Sequence, residues 1–274
     1  MTRRRPSTTG ILVCLVLGVL GSIYAVDWFA GRGTLRLPWA ATDLLPPEAR
    51  DRPQAGYEEA EERLAPPVEV AAPDASYAFQ QTHEVDGAQV PVAWSPCRPV
   101  HVVVDPADGP ADFAGQVEVA LDELAAATGL VLAYDGVVAE PDPGGGGDRA
   151  AFQPERYGDR WAPVLVAWSD EAGVPGLAGD VLGLAQVHAV TDPYTGDRAL
   201  VSGAVHLDTD LLDPVYGPTG YHAVLRHELA HVIGLDHVED PAQLMNAVTG
   251  VPTYQAGDLT GLAALGRGAC TPGL

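Results

Sequence analysis

RHELAHVIGLDHVEDPAQLMN (226–246) is the segment whose reading decides the fold. His227 and His231 are four residues apart, so on a helix they project from one face, one turn above the other. Two imidazoles so placed can grip one zinc ion at about 2.0–2.1 Å each. Glu228 points to the side of that pair, where a carboxylate reaches a metal-bound water without ligating the metal. Gly234 follows three residues after His231, and a glycine there can end the helix with a positive φ and turn the chain back. That turn would bring His237 in as third ligand and leave the fourth position for water or a substrate carbonyl, as catalytic zinc requires. Leu225, Leu229 and Val232 supply the core side of the helix. A helix that merely carries two surface histidines would need the same apolar face, but not Gly234 and His237 at those offsets.

Upstream, the pattern alternates between strands and one long helix. VPVAW (90–94) and HVVVD (101–105) read as strands. From Ala111 to Thr128, Phe113, Val117, Ala120, Leu121, Leu124 and Ala125 recur at helical spacing, and Gly129 ends the run. LVLAY (130–134), VLVAW (164–168), LAQVHAV (184–190) and SGAVHLD (202–208) continue as strands, and PDPGGGGD (141–148) is a loop. The order strand, helix, four strands, motif helix predicts an α+β fold with a mixed sheet and few helices.

His227 to His237 match the long zinc signature of the metzincins. Gly234-Leu235-Asp236-His237, followed by Leu244-Met245, resembles the matrixin branch. The resemblance implies a zinc-dependent endopeptidase with Glu228 as catalytic residue and His227, His231 and His237 as metal ligands. It also implies a mostly parallel sheet, a Met-turn at Met245 and a C-terminal helix over 258–265 with Asp258 as its N-cap. Pro252 and Tyr254 resemble the wall of the pocket for the side chain after the scissile bond, and the strand near 184–190 would pair with an extended peptide substrate. The close resemblance covers residues 220–266, and upstream it rests on strand order. Matrixins of the animal type carry a second, structural zinc and calcium. His188 and His206 fall roughly where two structural-zinc histidines would lie, but the His-x-Asp partner is absent between Val164 and Asp180. Asp192, Asp197, Asp208 and Asp210 could hold calcium, and no calcium ligand is assigned. Ser-Pro-Cys97-Arg-Pro lacks the order of the family's latency switch.

The ends of the chain place this domain. Arg3, Arg4 and Arg5 precede an uncharged run from Gly10 to Val26, near the lower limit for spanning a bilayer. Residues 1–30 therefore read as a signal-anchor, with cleavage as a secretory signal peptide the alternative. Residues 31–76, rich in Pro, Ala and Glu, read as a disordered tether, and 77–274 as the metalloprotease domain. Cys97 and Cys270 in an exported domain would pair, closing a loop worth about 4–5 kcal/mol in the chain-entropy picture. Two unrelated buried thiols are the alternative. With 15 basic against 37 acidic residues the formal charge is −22, which argues against a nucleic-acid partner. The expectation is a monomeric zinc endopeptidase held outside the cytoplasmic membrane and acting on peptide or protein. A tethered zinc-binding module that recognises peptide without cutting it is the alternative.

Overall fold

β-Branched runs set the centre of the molecule. In the computed structural model, which describes residues 51–140, 149–192, 194–216, 219–248 and 250–274, Val100–Asp105 and Val164–Ser169 pair in parallel as inner strands of a six-stranded sheet. In chain order the strands are β1 (Ala78–Phe79), β2 (Thr82–Val85), β3 (Ala88–Pro91), β4 (Ala93–Trp94), β5 (Val100–Asp105), β6 (Leu132–Val137), β7 (Val164–Ser169), β8 (Gly183–Thr191), β9 (Arg198–Asp208) and β10 (Leu235–Asp236). The helices are α1 (Phe113–Thr128), α2 (Pro154–Tyr157), α3 (Tyr221–Ile233) and α4 (Ala256–Leu265).

The sheet runs β4-β9-β7-β5-β6 with every pairing parallel, and β8 joins antiparallel along β9. The α+β class and the mostly parallel sheet are as the sequence predicts. The 90–94 strand is an exception. It divides into β3, which forms a hairpin with β2, and β4, which joins the main sheet. Pro91 lies at the division, and Pro has no N–H to give to a continuous ladder.

The core follows the strand alternation. Val102, Val104, Val164, Val166, Val205 and Leu207 face α1 and α3, packed with Phe113, Leu124, Leu225, Leu229 and Ile233. The intervening Val103, Leu165, Ala167 and Ala204 form a smaller cluster with Val138 and Tyr157. Both long helices thus bury their apolar faces on one side of the sheet, and α3 presents its other face to a cleft.

Residues 51–76 correct the tether reading over that range. Ala60 and Leu64 donate backbone N–H groups to Cys97 O and Pro96 O at 2.7 and 2.9 Å. The buried Glu59 carboxylate accepts from Ser95 Oγ at 2.5 Å and Thr271 N at 2.6 Å, and faces Arg98 at 3.6 Å. This strap is held by backbone bonds and one buried ion pair rather than by an apolar stripe, so composition does not reveal it. Cys97 and Cys270 form a disulfide beside it, with Cα atoms 5.3 Å apart. The expected anchor, residues 31–50 of the tether and the 141–148 loop lie outside the described residues. Among the described residues no helix is long and apolar enough to cross a membrane.

Candidate metal centre

Helix α3 carries the first two histidines as the i, i+4 spacing requires, and Gly234 ends it. Gly234 has φ 121° and donates its N–H to Ala230 O and His231 O. The positive φ calls for glycine, and a Cβ there would sit 3.1 Å from Leu265 Cδ2, a tight contact that Leu265 would have to yield to. The chain then turns through β10 and returns His237 to the helix. His237 Nε2 lies 3.0 Å from His227 Nε2 and 3.1 Å from His231 Nε2.

The opposite ring nitrogens fix which atoms face the centre. His227 Nδ1 donates to Leu244 O at 2.8 Å, and His231 Nδ1 donates to Leu235 O at 2.7 Å. With the proton on Nδ1, each Nε2 is left with a lone pair aimed inward. Burial lowers the pKa of both rings. For His227, burial outweighs the opposing Leu244 carbonyl, and His237 adds to the drop. His231 is pushed down to about 4 by burial, with His227 and His237 adding to it. The lone pairs of His227 and His231 face the His237 ring, where a proton or a shared cation would satisfy them. A tetrahedral ion with ligands at about 2.0–2.1 Å would space its nitrogens roughly 3.3 Å apart, close to the separations seen. These three residues could hold a metal ion.

Glu228 lies beside this group, 7 % exposed. Burial pushes its carboxyl up to about 8, opposed by a backbone hydrogen bond from Ala185 on β8. Gly183 on the same strand is packed so closely that an added Cβ would lie 2.8 Å from Glu228 Cγ and Oε1. β8 therefore closes one side of the carboxylate. The triad and Glu228 open onto a cleft of about 670 Å³ lined by β8, α3, residues 244–248 and Val251. Its aliphatic lining includes Leu184, Val224, Leu244, Val248 and Val251, and its rim carries Asp180 and Asp236.

The turn after His237 is latched from below. Val238 N donates to Met245 O at 3.0 Å, and Met245 is fully buried. Asp258 is not the N-cap of α4. Gln255 is, and Asp258, at the third helical position, accepts Gln255 N at 2.8 Å in a capping box. The same carboxylate accepts Leu244 N at 2.8 Å and Met245 N at 3.2 Å. Asp258 thus ties the C-terminal helix to the segment whose Leu244 carbonyl orients His227.

Other expected residues fall elsewhere. Tyr254 is pinned by a hydrogen bond from its hydroxyl to Arg226 O at 2.9 Å, and Val251 rather than Pro252 or Tyr254 lines the cleft. His188 stands opposite Ser202 and His206 opposite Leu184, four register positions apart on the β8–β9 ladder. At about 3.3 Å per residue that is on the order of 13 Å, too far for one ion. The two histidines considered for a second zinc, already short of their His-x-Asp partner, do not meet at one site. Asp192 Oδ1 accepts Tyr194 N and Thr195 N, Asp208 Oδ1 accepts Asp210 N, and Asp197 accepts the Thr195 hydroxyl, so three of the four acidic residues considered for calcium shape turns. Sequence reasoning missed Ala185, Gly183 and Gln80, because their roles depend on strands distant in sequence. A scan against protein-family models matches none, and a search of curated proteins finds no match.

Proposed function

We propose that this chain is a zinc-dependent endopeptidase of the metzincin, matrixin-like kind. The observation that carries the reading is the convergence of three histidine Nε2 atoms beside a buried carboxyl at the residue after the first histidine. His227, His231 and His237 would hold the zinc. When bound there, zinc supplies a Lewis acid and makes an adjacent water more acidic.

The chain's own residues supply the rest. Glu228 acts in its ionised form, which a bound cation would favour against the upward push of burial; it takes a proton from the attacking water and returns it to the leaving amine. Leu244 O and Leu235 O keep the two helical imidazoles in the tautomer that leaves Nε2 free. Gly183, Leu184 and Ala185 bring the sheet's antiparallel edge strand to the cleft, where an extended peptide can add a strand. The aliphatic lining excludes water from a side chain seated there. The uncharged run over residues 10–26 supports a location for this chemistry outside the cytoplasmic membrane.

Glu228→Gln tests the reading. The variant is expected to keep one zinc per chain and to lose about 10²- to 10⁴-fold of its activity on a casein-type substrate. Cleavage at the parent's rate would refute the role of Glu228. A parent that binds zinc and cuts nothing in a peptide library would instead support a peptide-recognition module.

A further inference from the structure

We infer that Gln80 is a positioning residue of the metal centre, and that the short β1–β10 pair exists to hold it there. The inference rests on the triad holding a metal, as proposed above. Gln80 belongs to none of the elements that carry the ligands. It follows β1, 151 positions before His231, yet its side-chain amide Nε2 stands 3.2 Å from His231 Nδ1, and since that nitrogen is itself a donor to Leu235 O, the amide must rotate by half a turn to offer Oε1 there. It also lines the cleft.

The backbone explains how it gets there. β1 pairs antiparallel with β10, Ala78 opposite Asp236 and Phe79 opposite Leu235. Gln80 N then donates to Gly234 O at 3.0 Å. The residues so gripped, Gly234 to Asp236, are those that end the helix, accept the His231 proton and lead into His237. On the far side, Gln81 O accepts Val92 N, and Gln81 Oε1 accepts Arg198 Nη2 at 3.1 Å. The 78–81 segment is therefore anchored to the sheet at one end and to the metal loop at the other.

The chemistry follows from the ring. His231 Nδ1 carries one proton, given to Leu235 O at 2.7 Å. An amide beside the same nitrogen can turn its oxygen toward that proton, making the bond three-centred and restraining the ring's rotation about χ2. A metal-bound histidine held by such partners binds more tightly, and removing one costs metal affinity about 10- to 100-fold. None of the three ligands is altered, so the effect belongs to orientation.

The test uses the full chain stripped of metal and titrated with zinc against a chromogenic chelator. Q80M keeps length and loses the hydrogen bond; Q80E keeps an oxygen acceptor. Q80M is expected to bind zinc about 10- to 100-fold more weakly while its metal-free melting temperature stays that of the parent, and Q80E to recover most of the loss. Q80M within about twofold of the parent would overturn the inference, given that typical loss. So would equal losses in Q80M and Q80E, which would mark a packing role. A parent that does not bind zinc at all would bring down the metal reading itself.

Discussion

Two of the molecule's buried carboxylates, Asp258 and Glu228, are treated in opposite ways. Asp258, at the start of α4, is 0 % exposed and accepts three backbone N–H groups, from Leu244, Met245 and Gln255. Glu228, on the cleft face of α3, is 7 % exposed and has one backbone donor, from Ala185. Burial of a charge is costly unless hydrogen bonds replace the lost water. Where three donors replace it, the carboxylate becomes a fixed joint between the turn and the last helix. Where one does, the charge is poorly compensated, and the proton is held until about pH 8. The same group is structural in one place and poised for proton transfer in the other, according to the number of donors provided.

The largest effect that can break this contrast is the pH dependence of metal-free stability. The Glu228 carboxyl stays protonated in the folded chain up to about 8, whereas its ordinary value is 4.5. Between those values the native state holds a proton that the unfolded state has released, so stability falls as pH rises. His231 acts the other way. Its folded value is about 4 against an ordinary 6.5, so its contribution is present above 6.5 and is lost as pH falls toward 4. Comparing the parent with Glu228→Gln in chelator cancels the histidines. Between pH 5 and pH 8 the parent is expected to lose on the order of 4 kcal/mol relative to the variant, read by urea unfolding. A constant gap would show that Glu228 ionises as an exposed carboxylate does.

Asp258→Ala comes next. It leaves three backbone donors without their acceptor, two of them in the buried turn. The expected loss is about 3 kcal/mol, since a bond to a charged group is worth about 1.5–3 and abandoned donors add to it. Zinc affinity is also expected to fall, because Leu244 O would no longer be held against His227. A stability loss below about 1 kcal/mol, the worth of a single neutral bond, would place Asp258 outside the scaffold.

The clustered histidines of the candidate metal centre were legible in the sequence, and their support was not. The i, i+4 histidines, the following glutamate and the helix-ending glycine are local, and each follows from helix geometry. The sheet's inner strands were legible too, because Val102 to Val104 and Val164 to Val166 form β-branched runs. The strap over 51–76 was not, since its order comes from Glu59 meeting Arg98 and Thr271, partners as much as 212 positions away. Nor was the true cap of α4. An aspartate before an apolar run signals a helix start, but only the fold shows that Gln255 precedes it and that Asp258 reaches back to residues 244 and 245. The distance between His188 and His206 was hidden for the same reason. Their strands were read correctly, and the register that separates them was not visible.

The smallest effect sharpens the contrast from the other side of the same joint. Gln243 Oε1 accepts Gly257 N at 2.9 Å and Asp258 N at 3.3 Å, while its Nε2 donates to Asp240 Oδ2 at 3.1 Å. The turn and α4 thus satisfy each other reciprocally, the helix giving a carboxylate to the turn and the turn giving an amide to the helix. The amide is neutral, and one of its two bonds to α4 is long. Gln243→Ala is therefore expected to cost about 1 kcal/mol, the range of a lost helix cap and below the loss for Asp258→Ala. Urea unfolding of both single variants and of the pair measures their coupling. A positive coupling would show that the two side chains act as one latch. If Gln243→Ala costs as much as Asp258→Ala, the closure of the joint matters more than its charge. The contrast with Glu228 would then rest on geometry rather than on how well each carboxylate's charge is met.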